Sequence, residues 1–151
     1  MSERLRRLVG RWKGTGVAAF PTVDTAEYRE ELVFQSNGVE ALLHFEQKTW
    51  WKRDEPLHWE SGFILVAEGG GLTLLNAQNN GRVEVLTGTL EEIPGGFDMR
   101  LRSTHFGNDP RMLASTRQIV MEGDRLVYEV AMATDRVATL SPHLRAELRR
   151  S

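Results

Sequence analysis

Hydrophobic and polar residues alternate with a period of two along most of this chain. That is the spacing of a strand with one face buried and the other wet. The stretch Phe97-Asp98-Met99-Arg100-Leu101-Arg102-Ser103 is the plainest case, with apolar side chains on one side and charges on the other. Leu126, Tyr128, Val130 and Met132 repeat it, as do Ala41, Leu43 and Phe45 against Glu40, His44, Glu46 and Lys48. Val83-Glu84-Val85 follows the same rule, which puts the two valines on the apolar face. Between such segments lie Ser36-Asn37-Gly38, Gly69-Gly70-Gly71, Asn79-Asn80-Gly81, Pro94-Gly95-Gly96, Gly107-Asn108-Asp109-Pro110 and Glu122-Gly123-Asp124. Glycine and asparagine reach positive φ at little cost, so these clusters reverse the chain.

About ten strand segments result. They run roughly over 10–20, 27–36, 40–51, 56–67, 71–78, 82–92, 96–103, 111–121, 125–134 and 140–150. Residues 2–9 read as a short helix with Ser2 as N-cap and Leu5, Leu8 and Val9 on one face. The final segment is ambiguous: Leu144, Ala146 and Leu148 alternate as in a strand, whereas Leu140, Leu144 and Leu148 also fall at helical spacing. A strand is expected, because it closes the sheet. Hairpins in series without crossover helices form an antiparallel meander, and a meander this long curls until its edges meet. The expected fold is therefore all-β: a ten-stranded antiparallel up-and-down barrel with a short N-terminal helical turn. A sandwich is the alternative. A closed barrel of that size is too wide for its own side chains to fill and encloses a cavity.

The 151 residues suit one domain spanning 1–151, with 40% hydrophobic and 26% charged residues. Nineteen basic residues against 21 acidic ones leave a net charge of −2, so no global field favours nucleic acid. No apolar run approaches about 18 residues, and the N-terminal MSERLRRLVGRW has no secretory core, so neither a membrane span nor export is expected. Cysteine is absent. That removes disulfides, thiolate catalysis, zinc–thiolate and iron–sulfur sites and covalent haem attachment, and it fits a cytoplasmic location.

Chemistry must then come from other groups. Strict alternation puts Gln47 and Thr49 inside beside Leu43 and Phe45, and Thr116 and Gln118 inside beside Met112 and Val120, with Arg117 turned outward. Inward polar groups need a partner, a ligand or water unless they sit at strand ends. The four histidines, His44, His58, His105 and His143, show no zinc-binding spacing. His44 shares a charged face with Glu46 and His105 a loop edge, so both are expected to be solvated. Taken alone, His58 and His143 read as ordinary structural histidines. No Gly-x-Ser-x-Gly elbow is present. The Gly10-x-Trp12-x-Gly14-x-Gly16 run lacks a following Lys-Ser/Thr and runs into a strand rather than a helix, so it is no phosphate loop. Glycines at every second strand position admit a close neighbour, and Trp12 beside them can plug one barrel end.

The chain nonetheless resembles the nitrobindin family, haem-binding barrels similar in shape to fatty-acid-binding proteins and lipocalins. The resemblance rests on Gly10-Arg11-Trp12-Lys13-Gly14-Thr15-Gly16 with Phe20-Pro21-Thr22, on Gln47-Lys48-Thr49-Trp50, on Pro56-Leu57-His58 with Glu60-Ser61-Gly62, and on the terminal His143-Leu144-x-Ala146-x-Leu148-x-Arg150. Glu30-Glu31, Phe34, Gly88, Arg117, Leu126-Val127-Tyr128 and Met132-Ala133 fall in the family's order. Phe20 and Phe45 stand where the family has tyrosines, and Leu65 where it has an arginine.

The resemblance implies haem b in an open cleft, with His143 as the axial iron ligand and catalytic residue. It implies that Thr22, Leu57, His58, Gln78 and Met132 line the cofactor pocket, and that its distal wall is apolar and without an acid–base group. It implies nitric oxide binding and the isomerisation of peroxynitrite to nitrate at ferric iron, with a monomeric or homodimeric protein. Among other anionic ligands only Tyr28 or Tyr128 could replace His143. The competing reading is a non-catalytic carrier of a fatty acid or other small hydrophobic ligand, which a buried arginine gripping a carboxylate would favour. The basic residues near the two termini, Arg4, Arg6, Arg7, Arg145, Arg149 and Arg150, could neutralise haem propionates if they met at the cavity's edge.

Overall fold

The computed structural model describes residues 3–151. A one-turn helix α1 (Glu3–Arg6) leads into strands β1 (Gly10–Phe20), β2 (Val23–Gln35), β3 (Leu42–Trp50), β4 (Pro56–Val66) and β5 (Leu72–Gln78). Strands β6 (Val83–Ile93), β7 (Gly96–Gly107), β8 (Met112–Glu122), β9 (Arg125–Thr134) and β10 (Ser141–Arg150) complete the chain, with a 3-10 turn at Lys52–Asp54 between β3 and β4. Every strand pairs antiparallel with its sequence neighbours, and β10 pairs back onto β1 to close a ten-stranded barrel. The closing segment is thus a strand, with Gly14 opposite Leu148 and Gly16 opposite Ala146. The Ser2 cap lies outside the described residues. Leu5 and Leu8 are buried as expected, whereas Val9 is exposed.

The two ends of the barrel differ. At one end Trp12 is fully buried with Leu5 and Leu8, its indole Nε1 donating to the Leu8 carbonyl at 2.9 Å. Phe97, Met99, Met121, Leu126 and Leu148 pack into the same continuous core. Three of the terminal basic residues meet here. Arg150 lies 4.3 Å over the Trp12 ring, Arg4 pairs with Glu92, and Arg7 donates to the Gly95 carbonyl. These three cap the plugged end, whereas Arg145 pairs with Glu129 on the outer wall, nearer His143.

The paired strands lose register at several points near the opposite end. The shifts lie at Ala18/Phe20, Lys48/Trp50, Met112/Ala114 and Pro142/Leu144. Bulges bend strands and re-aim side chains, and they collect at barrel rims. The bulge in β8 corrects the sequence expectation there. Leu113 has no opposite residue, so the alternation flips after it. Ser115, Ile119 and Met121 are buried with Arg117 between them, while Thr116 and Gln118 face outward. In β6 the parity is also opposite to expectation: Glu84 is buried and Val83 is exposed.

Candidate functional site

At the unplugged end an open cavity of about 380 Å³ is lined by Ala18, Leu57, His58, Gln78, Met112, Val130, Met132, His143 and Leu144, with Glu60, Arg82, Glu84, Ser115 and Arg117 among its polar groups. Five sequence-derived candidates therefore share one hollow: Leu57, His58, Gln78, Met132 and His143. Thr22 does not join them. It is exposed in the turn after β1. A larger, shallower hollow of about 830 Å³ touches the back of His143. Most of its side chains, including Val17, Thr87 and Arg102, belong to the outer wall, so the interior cavity is the one that gathers the chemistry.

His143 reaches the interior through a bulge. Pro142 pairs with Ala131 and Leu144 with Val130, which leaves His143 as the extra residue. Unbroken alternation from Leu144, Ala146 and Leu148 turns it outward; the bulge lets it line the cavity beside Leu144. Its Nδ1 lies 2.9 Å from the Ala19 carbonyl oxygen. A carbonyl can only accept, so Nδ1 carries the proton and Nε2 keeps its lone pair. Nε2 has no hydrogen-bond partner among the described residues. Burial holds the imidazole pKa below its ordinary value, so the ring is neutral at pH 7. Phe20, at the family's tyrosine position, meets it edge-on at 5.8 Å between ring centroids.

His58 opens β4 from the opposite wall. The Thr49 hydroxyl grips its backbone twice, donating to its carbonyl at 2.8 Å and accepting from its amide at 2.9 Å. This replaces ladder bonds where β3 and β4 slip register. His58 Nε2 sits 3.1 Å from Glu60 Oε2, on the same side of the strand two residues on. Glu60 is buried and also accepts from Asn76 at 2.9 Å and from both terminal nitrogens of Arg117. Arg117 reaches across to Glu84 at 2.6 Å, which further accepts from Asn76, Gln78 and Ser115. Burial pushes the Glu60 and Glu84 pKa values up, but the Arg117 charge together with the hydrogen bonds from Arg117, His58 and Asn76 outweighs it and holds both below the usual carboxylate range. The expectation of a wholly apolar wall is therefore corrected: His58 and its acidic support stand in it.

Deeper in the barrel lies a second cluster. Glu30 accepts from Gln47 Nε2 at 2.9 Å and from the Tyr128 hydroxyl, and Tyr28 meets Tyr128 oxygen to oxygen at 2.9 Å. Gln47 and Thr49 face inward as alternation requires. Both tyrosines are spent in this cluster and neither lines the cavity, which leaves the two cavity histidines as the ligand candidates. His44 faces outward but is half-buried, on Ser61 at 3.1 Å and against Phe63, while His105 is exposed. Leu65 points away from the cavity beside the buried Ile64. At the rim, Asp109 accepts from Arg82 and Arg111 together, tying the β5–β6 turn to the β7–β8 loop.

The acids Glu30, Glu60 and Glu84 escaped the sequence reading as a group. The signal available was a charged residue at a period-two apolar position, most visible for Glu30 between Tyr28 and Leu32. Among the described residues no cluster of His, Asp and Glu has the makings of a bare metal-ion site, and no helix is long and apolar enough to cross a membrane.

Comparison with known proteins agrees with this geometry. The family described as a THAP4-like, heme-binding beta-barrel domain matches residues 2–150. A protein of Mycobacterium ulcerans named peroxynitrite isomerase 2 is 35% identical over 98% of this chain and 93% of its own. One from Arabidopsis thaliana named peroxynitrite isomerase Rv2717c is 32% identical over 95% of this chain and 85% of its own. The crystal structure of Rv2717c from M. tuberculosis superposes with a TM-score of 0.91 at 29% identity, covering 100% of this chain and 99% of that one. A phycobiliprotein lyase from Guillardia theta shares the fold alone, with a TM-score of 0.67 at 13% identity. By sequence and by overall fold, this chain belongs to the THAP4-like haem-binding β-barrel family, the nitrobindins.

Proposed function

We propose that residues 1–151 act as one domain that binds haem b at the mouth cavity, takes up nitric oxide and isomerises peroxynitrite to nitrate, in the cytoplasm. The observation that carries this reading is His143: a neutral imidazole with Nδ1 committed to a backbone carbonyl and Nε2 free in an open, largely apolar hollow. Metal-binding histidines are held this way, since the second hydrogen bond fixes both tautomer and ring orientation. Leu57, Met112, Val130, Met132 and Leu144 give a macrocycle an apolar bed. Haem iron supplies Lewis acidity towards an anionic peroxide. The protein's part is to hold His143 neutral, to aim it and to keep the hollow accessible to a small anion. The curated relatives named for this isomerisation support the same chemistry.

The carrier reading loses its support. An arginine does lie inside the barrel, but Arg117 is already engaged by Glu60 and Glu84. A fatty-acid carboxylate entering there would meet two buried negative charges and no free positive one. Absorption titration with hemin tests the proposal: a Soret band that saturates at one equivalent is expected, and His143→Ala removes most of it while the barrel stays folded by circular dichroism. An intact protein that leaves hemin unbound overturns it.

A further inference from the structure

The two histidines of the cavity are held in opposite tautomers, and this gives His58 a task of its own. Glu60 is ionised and can only accept, so His58 Nε2 carries the proton in the 3.1 Å contact. Its Nδ1 then keeps the lone pair, and Nδ1 has no hydrogen-bond partner among the described residues. The arrangement is an imidazole oriented by a buried carboxylate, which is in turn held by a guanidinium, with one basic nitrogen left over in a ligand-accessible hollow. That is how a general base is built.

We propose that His58 is the proton acceptor of this cavity, serving small ligands that enter as a weak acid HX and react as the anion X⁻. The inference rests on the haem reading for the destination of the anion. In the step itself the H–X bond breaks, the proton goes to Nδ1, and the electron pair stays with X⁻; nothing is oxidised or reduced. The charged groups around His58 come from three strands. Glu60 on the same strand and Glu84 from β6 carry two negative charges against one positive charge on Arg117 from β8. Arg82 is committed to Asp109, and His143 is neutral. Counted together, Glu60, Glu84 and Arg117 leave the lining beside His58 with one net negative charge. The ligand class follows from the chemistry: peroxynitrous acid, hydrogen cyanide and hydrazoic acid all belong to it, whereas nitric oxide carries no proton to give.

Two measurements test this. In the haem-free protein, ¹⁵N–¹H correlation spectra of the imidazole rings at neutral pH are expected to show His58 protonated at Nε2 and bare at Nδ1. The opposite tautomer overturns the proposal. In hemin-reconstituted protein at neutral pH, where hydrogen cyanide predominates over its anion, His58→Leu is expected to slow cyanide association by about 100-fold, within the range for a lost general base. Nitric oxide association is expected to stay within about twofold, since no proton moves. Equal slowing of both ligands, or no slowing of cyanide, overturns the proposal. So does loss of the Soret band in His58→Leu, which identifies His58 as an iron ligand instead. Should the parent protein take up no hemin, the haem reading fails by itself, and the tautomer alone then decides the role of His58.

Discussion

Arg117 and Glu60 meet inside the barrel wall to wall, Nη2 3.1 Å from Oε2, with side-chain exposures of 12% and 3%. The pair joins β8 to β4 across the cavity floor, and Glu84 on β6 makes it a triad. A buried ion pair gives little net stability over an apolar filling of the same shape, but breaking it from one side is costly. Arg117→Met leaves two carboxylates buried without a countercharge. A loss of about 3–5 kcal/mol is expected in urea denaturation. A variant within about 1 kcal/mol of the parent means that the acids are not held as ions.

Gly16 and Tyr28 are another such pair. A Cβ at Gly16 would lie 2.4 Å from Tyr28 Cζ and 2.5 Å from its hydroxyl oxygen. The ring cannot swing away freely, because its hydroxyl is tied to Tyr128. Gly16→Ala is expected to cost about 1–3 kcal/mol, the usual cost of overpacking, read as a lowered thermal midpoint. Gly71→Ala is the control, since a Cβ there meets nothing within 4 Å.

The period-two pattern made the architecture legible almost strand for strand, because a half-buried strand repeats every two residues and the turns are built from glycine and asparagine. It failed where the backbone itself breaks the period. One extra residue, Leu113, reverses the facing of everything after it in β8, so Arg117 reads as outward and Thr116 as inward. The same device at His143 brings in a histidine that alternation turns out. Bulges of this kind depend on pairing with another strand, and no local composition announces them. Glu84 is a different case: alternation is sound there, but a charged residue inside reads as outside until its partners on distant strands are known. The cavity residues Leu57, His58, Gln78, Met132 and His143 were legible only through motif resemblance.

Trp12 seals the end away from the cavity, fully buried beneath α1 with Arg150 across its face. Trp12→Ala removes a large packed ring, and about 3–5 kcal/mol of stability should go with it. Because the site is at the other end, the hemin affinity of the folded fraction is expected to hold within about threefold, or roughly 0.6 kcal/mol. A stability loss without an affinity loss, compared by denaturation and hemin titration, separates plug from pocket. A parallel collapse of both shows that the two ends are coupled.

Glu30 gives the stability its pH dependence above the acid range. Burial pushes its pKa from 4.5 up to about 8, and the bonds from Tyr128 and Gln47 only partly offset this. Between those two values the folded protein retains a proton that the unfolded chain releases. Stability therefore falls as pH rises from 4.5 through about 8 and levels off above. Glu60 and Glu84 act with the opposite sign, their contribution being lost as pH drops below 4.5. Glu30→Gln keeps the shape of the neutral acid and cannot ionise. Urea midpoints measured at about pH 5 and about pH 8.5 should fall for the parent and stay nearly level for the variant, which becomes the more stable of the two at the higher pH. Parallel slopes in parent and variant show instead that Glu30 is ionised throughout, with Tyr128 and Gln47 solvating its charge.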